Sequence, residues 1–217
     1  MKYKYILFDL DGTLTDSKEG ITRSVQYALR KYNIVVENLD LLENFIGPPL
    51  KDSFMEYYGF SEKQAFQAIE YYRQYFEEKG MFENKVYENI ESLLQKLKKL
   101  GLNLIVATSK PTAFAEKILR HFNLYTYFDI VIGSNLDGTR GKKGEVIRYI
   151  IDKCNIDNSQ EVVMVGDRRH DAIGAGENGV DCIGVAYGYG SVEELRNAKA
   201  TYIVHNVEEL FKRIISS

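Results

Sequence analysis

Cysteine is scarce in this chain, with two in 217 residues, and neither one belongs to a metal-binding or redox motif. Cys154 and Cys182 sit inside apolar patterns and read as buried free thiols of a reducing cytosol, which argues against a disulfide framework. There is no basic excess either. Lys plus Arg total 28 against 31 Asp plus Glu, a net charge of −3, and that balance lacks the electrostatic footprint of a nucleic-acid polymer binder. Long hydrophobic runs are missing as well. The opening Met1–Tyr5 leads into an apolar stretch too short for a signal peptide, and no other stretch spans a bilayer. The expected protein is cytoplasmic, with no membrane partner. Repeats and low-complexity tracts are also absent. What remains is an ordinary globular composition, 45% hydrophobic and 27% charged, long enough for one large domain or two modest ones.

Short apolar runs recur along most of the chain, at residues 5–8, 102–107, 128–132, 161–165, 182–186 and 202–204. They do not alternate with polar residues, as suits strands buried on both faces. Helical stripes separate them. Ile90, Leu93, Leu94, Leu97 and Leu100 share one face before Gly101 stops the helix. Val207, Leu210, Phe211, Ile214 and Ile215 form the last stripe. The expected fold is α/β, a Rossmann-like parallel sheet with helices on both faces. One region breaks the rhythm. Between residues 17 and 81 there is no strand pattern, Pro48-Pro49 punctuates the middle, and Ser61-Glu62-Lys63-Gln64 reads as a capping box. This stretch is expected to be a small all-helical cap domain inserted after the first strand. The core domain then comprises residues 1–16 and 82–217.

Chemistry-bearing residues cluster where strands end. The first strand runs into Asp9-Leu10-Asp11-Gly12-Thr13. Residues two apart in a strand point the same way, so Asp9 and Asp11 can approach one site. Taken alone, the pattern equally describes a polar strand end with an Asp-Gly turn. Another strand ends at Thr108-Ser109-Lys110-Pro111. With Pro111 in the first turn of a helix, Thr108 and Ser109 lie beside free N–H groups suited to an oxyanion, although plain N-capping explains them too. Gly141-Lys142-Lys143-Gly144 opens a helix. Gly166-Asp167-Arg168-Arg169-His170-Asp171 follows a third strand and adds two carboxylates, with His170 expected to face solvent. The parallel sheet gathers these strand ends on one edge, where open α/β folds bind ligands. Converging carboxylates repel, a divalent cation relieves the repulsion, and hard oxygen donors favour Mg²⁺.

Together these four motifs, in order and spacing over the whole chain, resemble the haloacid dehalogenase superfamily of aspartate-nucleophile phosphotransferases. The likeness is to its phosphoglycolate phosphatase-like group, which carries a small helical cap after the first motif. The resemblance implies that Asp9 is the nucleophile and Asp11 the general acid, then base. It implies that Thr108 and Ser109 bind phosphoryl oxygens and that Lys143 neutralises them, with Lys142 as the fallback. Ser109 departs from the Asn that many relatives carry there. Asp167 is implied to bind Mg²⁺ with the Asp9 carboxylate and the Asp11 main-chain carbonyl, with Asp171 behind it or as an occasional direct ligand. Lys51 in the cap is a candidate contact for an anionic leaving group, or else a solvated helix-start lysine. Asn135-Leu136-Asp137-Gly138-Thr139 echoes the first motif, but its leading Asn cannot serve as a carboxylate nucleophile.

The expected reaction is Mg²⁺-dependent hydrolysis of a phosphate monoester through an aspartyl phosphate, phosphoglycolate phosphatase-like or 5′-nucleotidase-like. The partner is a small phosphorylated metabolite or nucleotide, and the protein is a monomer or small homo-oligomer. A phosphomutase of the β-phosphoglucomutase type shares every motif. A non-catalytic phosphate-binding regulator would retain the same pocket. A dehalogenase acting on carbon would need neither Asp11 nor Asp167.

Overall fold

A computed structural model describes residues 1–216. The chain divides into two units, one formed by residues 1–15 with 86 onward, the other by Asp16–Lys85.

In the first unit the apolar runs become strands because each is covered on both faces. In β1 (Tyr5–Phe8), Ile6, Leu7 and Phe8 are all fully buried. Thr15–Asp16 (β2) and Lys85–Val86 (β3) pair where the chain passes between the units. After α4 (Ile90–Lys99) come β4 (Asn103–Pro111), α5 (Thr112–His121), β5 (Ile130–Ser134), α6 (Lys143–Lys153), β6 (Val162–Gly166), α7 (Arg169–Glu177) and β7 (Asp181–Val185). The C-terminal helices α8 (Val192–Asn197) and α9 (Val207–Ile215) flank β8 (Tyr202–Val204). Six strands form one parallel sheet in the order β5-β4-β1-β6-β7-β8. Leu7 sits between Ile105 and Met164 in register. Connections build outward from β1 on one side, then cross to the other, and such a reversal marks where α/β sheets hold ligands.

Val146, Ile147 and Ile150 of α6 and Ala172 and Ala175 of α7 pack on Leu7, Ile105, Ala107, Ile132 and Met164. The intervening residues Ile6, Phe8, Leu104, Val106, Val163 and Val165 point to the opposite face and are fully buried too. The small residues of α7 serve two neighbours. Ala172 and Ala175 meet the sheet core, whereas a Cβ on Gly174 would fall 2.7 Å from the Gly144 nitrogen, so α6 and α7 touch closely. Both cysteines are free, Cys182 buried and Cys154 half-buried. Among the described residues no helix is long and apolar enough to cross a membrane.

The second unit is helical, with α1 (Lys18–Arg30), α2 (Leu50–Tyr58) and α3 (Glu62–Tyr75). Its core is aromatic. Phe54 is fully buried, with the Phe45 ring at 5.0 Å and the Phe60 ring at 5.8 Å. Ser61 and Gln64 form the expected capping box at the start of α3. The unit runs slightly past the 17–81 limits read from sequence. The two-residue strands at its ends are too short to leave a pattern.

Candidate active site

β1 ends at the middle of the sheet, and the chain beyond it continues the ladder for one residue, with Asp9 N–H donating to the Val165 carbonyl at 2.9 Å. Asp9 is thereby fixed beside the end of β6 and is 4% exposed. Its Oδ1 accepts from the Leu10 N–H at 2.7 Å and lies 2.9 Å from Lys143 Nζ. The chain then turns at Gly12, whose φ of +81° suits glycine. A Cβ there would lie 2.2 Å from Asp167 Oδ2. Only a bare backbone lets the turn lie against that carboxylate.

Lys143 opens α6 and is buried. Its ammonium reaches three oxygens, the Ala107 carbonyl at 2.9 Å, Asp9 Oδ1 at 2.9 Å and Asp171 Oδ1 at 2.8 Å. Three oxygens match its three donors. Burial alone would lower its pKa, but Asp171 and Asp9 outweigh that and hold it above the ordinary lysine value, so it stays charged. The close approach of α6 and α7 makes the Asp171 contact possible. Lys142 is the N-cap residue of α6, and its main-chain N–H donates to Glu145 Oε2 at 3.3 Å.

Asp167 follows β6 and is fully buried. Its Oδ1 accepts from Thr13 Oγ1 at 3.3 Å and its Oδ2 from the Tyr189 N–H at 2.9 Å. Burial, with Asp171 and Asp9 close by, pushes its carboxyl well above the usual range. Asp171, also fully buried, accepts from the Arg168 N–H at 3.0 Å, and burial raises it to about 6 despite Lys143. Carboxylate oxygens of Asp9, Asp167 and Asp171 all lie within 4.8 Å of one another. Three buried acids at that spacing have the donor chemistry of a hard divalent cation. The charge agrees. Four aspartates (9, 11, 167 and 171) at −1 against Lys110 and Lys143 at +1 leave −2 when all are ionised.

β4 departs from expectation. Ala107 pairs with Ile132 but Pro111 pairs with Ser134, so the strand bulges between them. Pro111 closes β4 and caps α5, which begins at Thr112, not at Pro111. Thr108 and Ser109 therefore sit on a bulged strand ahead of the helix, and Pro111, expected in the first turn, is its N-cap instead. Thr108 is buried at the edge next to Ala107, its Oγ1 accepting from the Lys110 N–H at 3.2 Å. Ser109 is half-buried. The bulge also brings in Lys110, whose Nζ lies 3.0 Å from Asp11 Oδ2, both side chains under 10% exposed. Bulges beside active sites re-aim side chains in this way. Asp11 Oδ1, buried, has no hydrogen-bond partner.

Lys110, Thr13 and Tyr189 were not singled out by sequence. A bulge has no sequence signature, and the Tyr189 contact to Asp167 is made by its amide. His170 differs from expectation: it is half-buried and its Nδ1 is enclosed without a hydrogen bond. Burial and the flanking Arg169 and Arg168 lower its pKa. Lys51 belongs to the helical unit, at the start of α2, and pairs with Glu62 at 2.6 Å. Asn135–Thr139 closes on itself as a turn, the Asn135 N–H donating to the Thr139 carbonyl at 2.9 Å.

The family described as "Haloacid dehalogenase-like hydrolase" matches residues 6–185. A 5′-nucleotidase of Pseudomonas aeruginosa is 50% identical over 202 residues, 93% of this chain and 91% of its own length. Tyrosine-protein kinase PtkA of Mycobacterium tuberculosis is 36% identical over 207 residues, 94% of this chain and 70% of its own. The crystal structure of "a predicted phosphatase from Clostridium acetobutylicum" superposes with a TM-score of 0.98 at 58% identity, covering 100% of both chains. With the four strand-end motifs gathered at one sheet edge, these relationships establish that the chain belongs to the haloacid dehalogenase-like hydrolase family and is an enzyme of its phosphatase kind.

Proposed function

We propose that this enzyme hydrolyses a small phosphate monoester through an aspartyl phosphate on Asp9, with Mg²⁺ as cofactor. The observation that carries the reading is the arrangement around Lys143, one buried ammonium held by Asp9 and Asp171 with Asp167 alongside. Asp9, Asp167 and Asp171, with the Asp11 main-chain carbonyl, would hold Mg²⁺, which would supply positive charge for the transferring phosphoryl oxygens.

The chain's own residues divide the remaining work. With Oδ1 held by Leu10 and Lys143, Asp9 attacks phosphorus through its other oxygen, and the bond from phosphorus to the ester oxygen breaks. Asp11 gives its proton to the departing alkoxide. A water then attacks the same phosphorus and passes a proton to Asp11, and the bond from phosphorus to Asp9 breaks, releasing inorganic phosphate. Thr108 donates to a phosphoryl oxygen, with Ser109 beside it, and Lys143 balances the added charge.

The relative named a 5′-nucleotidase, half identical over nearly the full chain, supports a nucleoside monophosphate as the first substrate class to test. The test is phosphate release from a panel of nucleotides, sugar phosphates and phosphoglycolate, with and without Mg²⁺. Release that needs Mg²⁺ and disappears in Asp9→Asn, with the fold kept, is the expected result. Near-normal turnover in that variant overturns the mechanism. No release from any compound moves the reading to a phosphomutase or a regulator.

A further inference from the structure

The loop after β7 makes more contact with the site than its sequence, Tyr187-Gly188-Tyr189-Gly190, suggests. It meets Asp167 at three points. The Tyr189 N–H donates to Asp167 Oδ2 at 2.9 Å. A Cβ on Gly188 would lie 2.4 Å from Asp167 Cβ and 2.3 Å from the Gly12 carbonyl oxygen. A Cβ on Gly190 would lie 1.9 Å from the Asp167 carbonyl oxygen. Real Cβ atoms do not come so near, so a bare backbone at Gly188 lets the loop rest on the Asp167 side chain and the Gly12 turn together, and one at Gly190 lets it pass against the Asp167 main chain.

Tyr187 reaches the other carboxylate oxygen through one intermediary. Its hydroxyl donates to the Thr13 carbonyl at 3.1 Å, and Thr13 Oγ1 donates to Asp167 Oδ1 at 3.3 Å. The Tyr187 ring is braced edge-on by Tyr87 at 5.2 Å. Both oxygens of one buried acid are therefore oriented by a single loop, one directly and one by way of Thr13.

We propose that Tyr187–Gly190 is a positioning element for Asp167 as a divalent-cation ligand, with Tyr187, Gly188 and the Tyr189 amide setting the direction of its two oxygens. The inference rests on the metal reading given above. Such outer partners orient a ligand without touching the ion, and losing one weakens metal affinity about 10- to 100-fold.

The experiment measures Mn²⁺ binding to the full chain by calorimetry, with Mg²⁺ competition and the thermal midpoint of the metal-free protein read in parallel. The variants are Tyr187→Phe, which removes one hydroxyl, and Gly188→Ala, with Asp167→Asn as reference. Wild type is expected to show one saturable site that Asp167→Asn loses. Tyr187→Phe is expected to weaken Mn²⁺ about 10-fold while the midpoint moves by no more than about 4 °C. Gly188→Ala is expected to weaken it further. Should Gly188→Ala fail to fold, Tyr187→Phe decides alone. A lower midpoint with unchanged Mn²⁺ affinity in Tyr187→Phe means that the loop is merely structural and overturns the proposal. Absence of saturable binding in wild type overturns the metal reading, and the proposal with it.

Discussion

Lys110 Nζ stands 3.0 Å from Asp11 Oδ2, and the pair is enclosed, at 6% and 9% side-chain exposure. With Oδ2 engaged, the unpartnered Oδ1 is the oxygen left to meet a leaving group or a water. Lys110 thus fixes the aim of the residue proposed as acid and base. Lys110→Met is expected to lower kcat about 10- to 100-fold, part of the 10²–10⁴ that such catalysis typically supplies. Aryl phosphates, whose leaving groups need little protonation, should suffer less than alkyl phosphates. Equal losses on both substrate types would show that Lys110 does not act through Asp11.

Lys143 has the opposite role, as the counter-charge of two acids. Removing one partner from a buried ion pair leaves an uncompensated charge and typically costs about 3–5 kcal/mol. Lys143→Met is therefore expected to lower the thermal midpoint by roughly 10 °C at this chain length, and to cut kcat by about 10²-fold or more. Mg²⁺ should restore part of the lost midpoint, because the cation takes over neutralising Asp9. A midpoint that is unmoved, with or without Mg²⁺, would show that the ammonium is not needed to balance these acids.

The helical unit has its own core, which allows a separate test. Phe54 is fully buried between the Phe45 and Phe60 rings. Truncating such a residue typically costs about 3–5 kcal/mol. Phe54→Ala should raise amide exchange across residues 16–85 and leave β1, β4 and β6 protected. Uniform loss of protection over the whole chain would mean that the two units unfold together.

Much of the core was legible because both-face burial makes continuous apolar runs, and the six strands were read on that basis. The parallel order then collects strand ends, so the sequence itself places Asp9, Asp167 and Asp171 at one edge. Local geometry was less legible. Pro111 suggested a helix's first turn, but the strand bulges past Thr108 and the helix starts later. That bulge delivers Lys110, a lysine with nothing in its spacing to mark it. The Tyr187–Gly190 loop was silent for a different reason. It acts through an amide and through missing side chains, neither of which a residue pattern displays. His170, expected to face solvent, is half-buried with its Nδ1 enclosed, which its helix position alone does not display.

Protons and the cation should compete for the same acids, and the sign follows from the shifts. Burial together with Asp171 and Asp9 raises Asp167 well above its ordinary value, and burial raises Asp171 to about 6. An unfolded aspartate titrates near ~3.9. The metal-free fold thus binds protons more tightly than the unfolded chain. The stability this supplies is fully present below ~pH 4 and is lost as pH rises through the shifted values. Binding a divalent cation requires those protons to leave. Affinity for Mg²⁺ should therefore tighten from pH 5 to pH 8, with proton release seen as a buffer-dependent calorimetric heat. The rise in thermal midpoint caused by Mg²⁺ should likewise be larger at pH 8 than at pH 5. If affinity is flat across that range and no protons are released, Asp167 and Asp171 are already ionised in the metal-free enzyme. Their crowding would then have to be relieved by Lys143 alone.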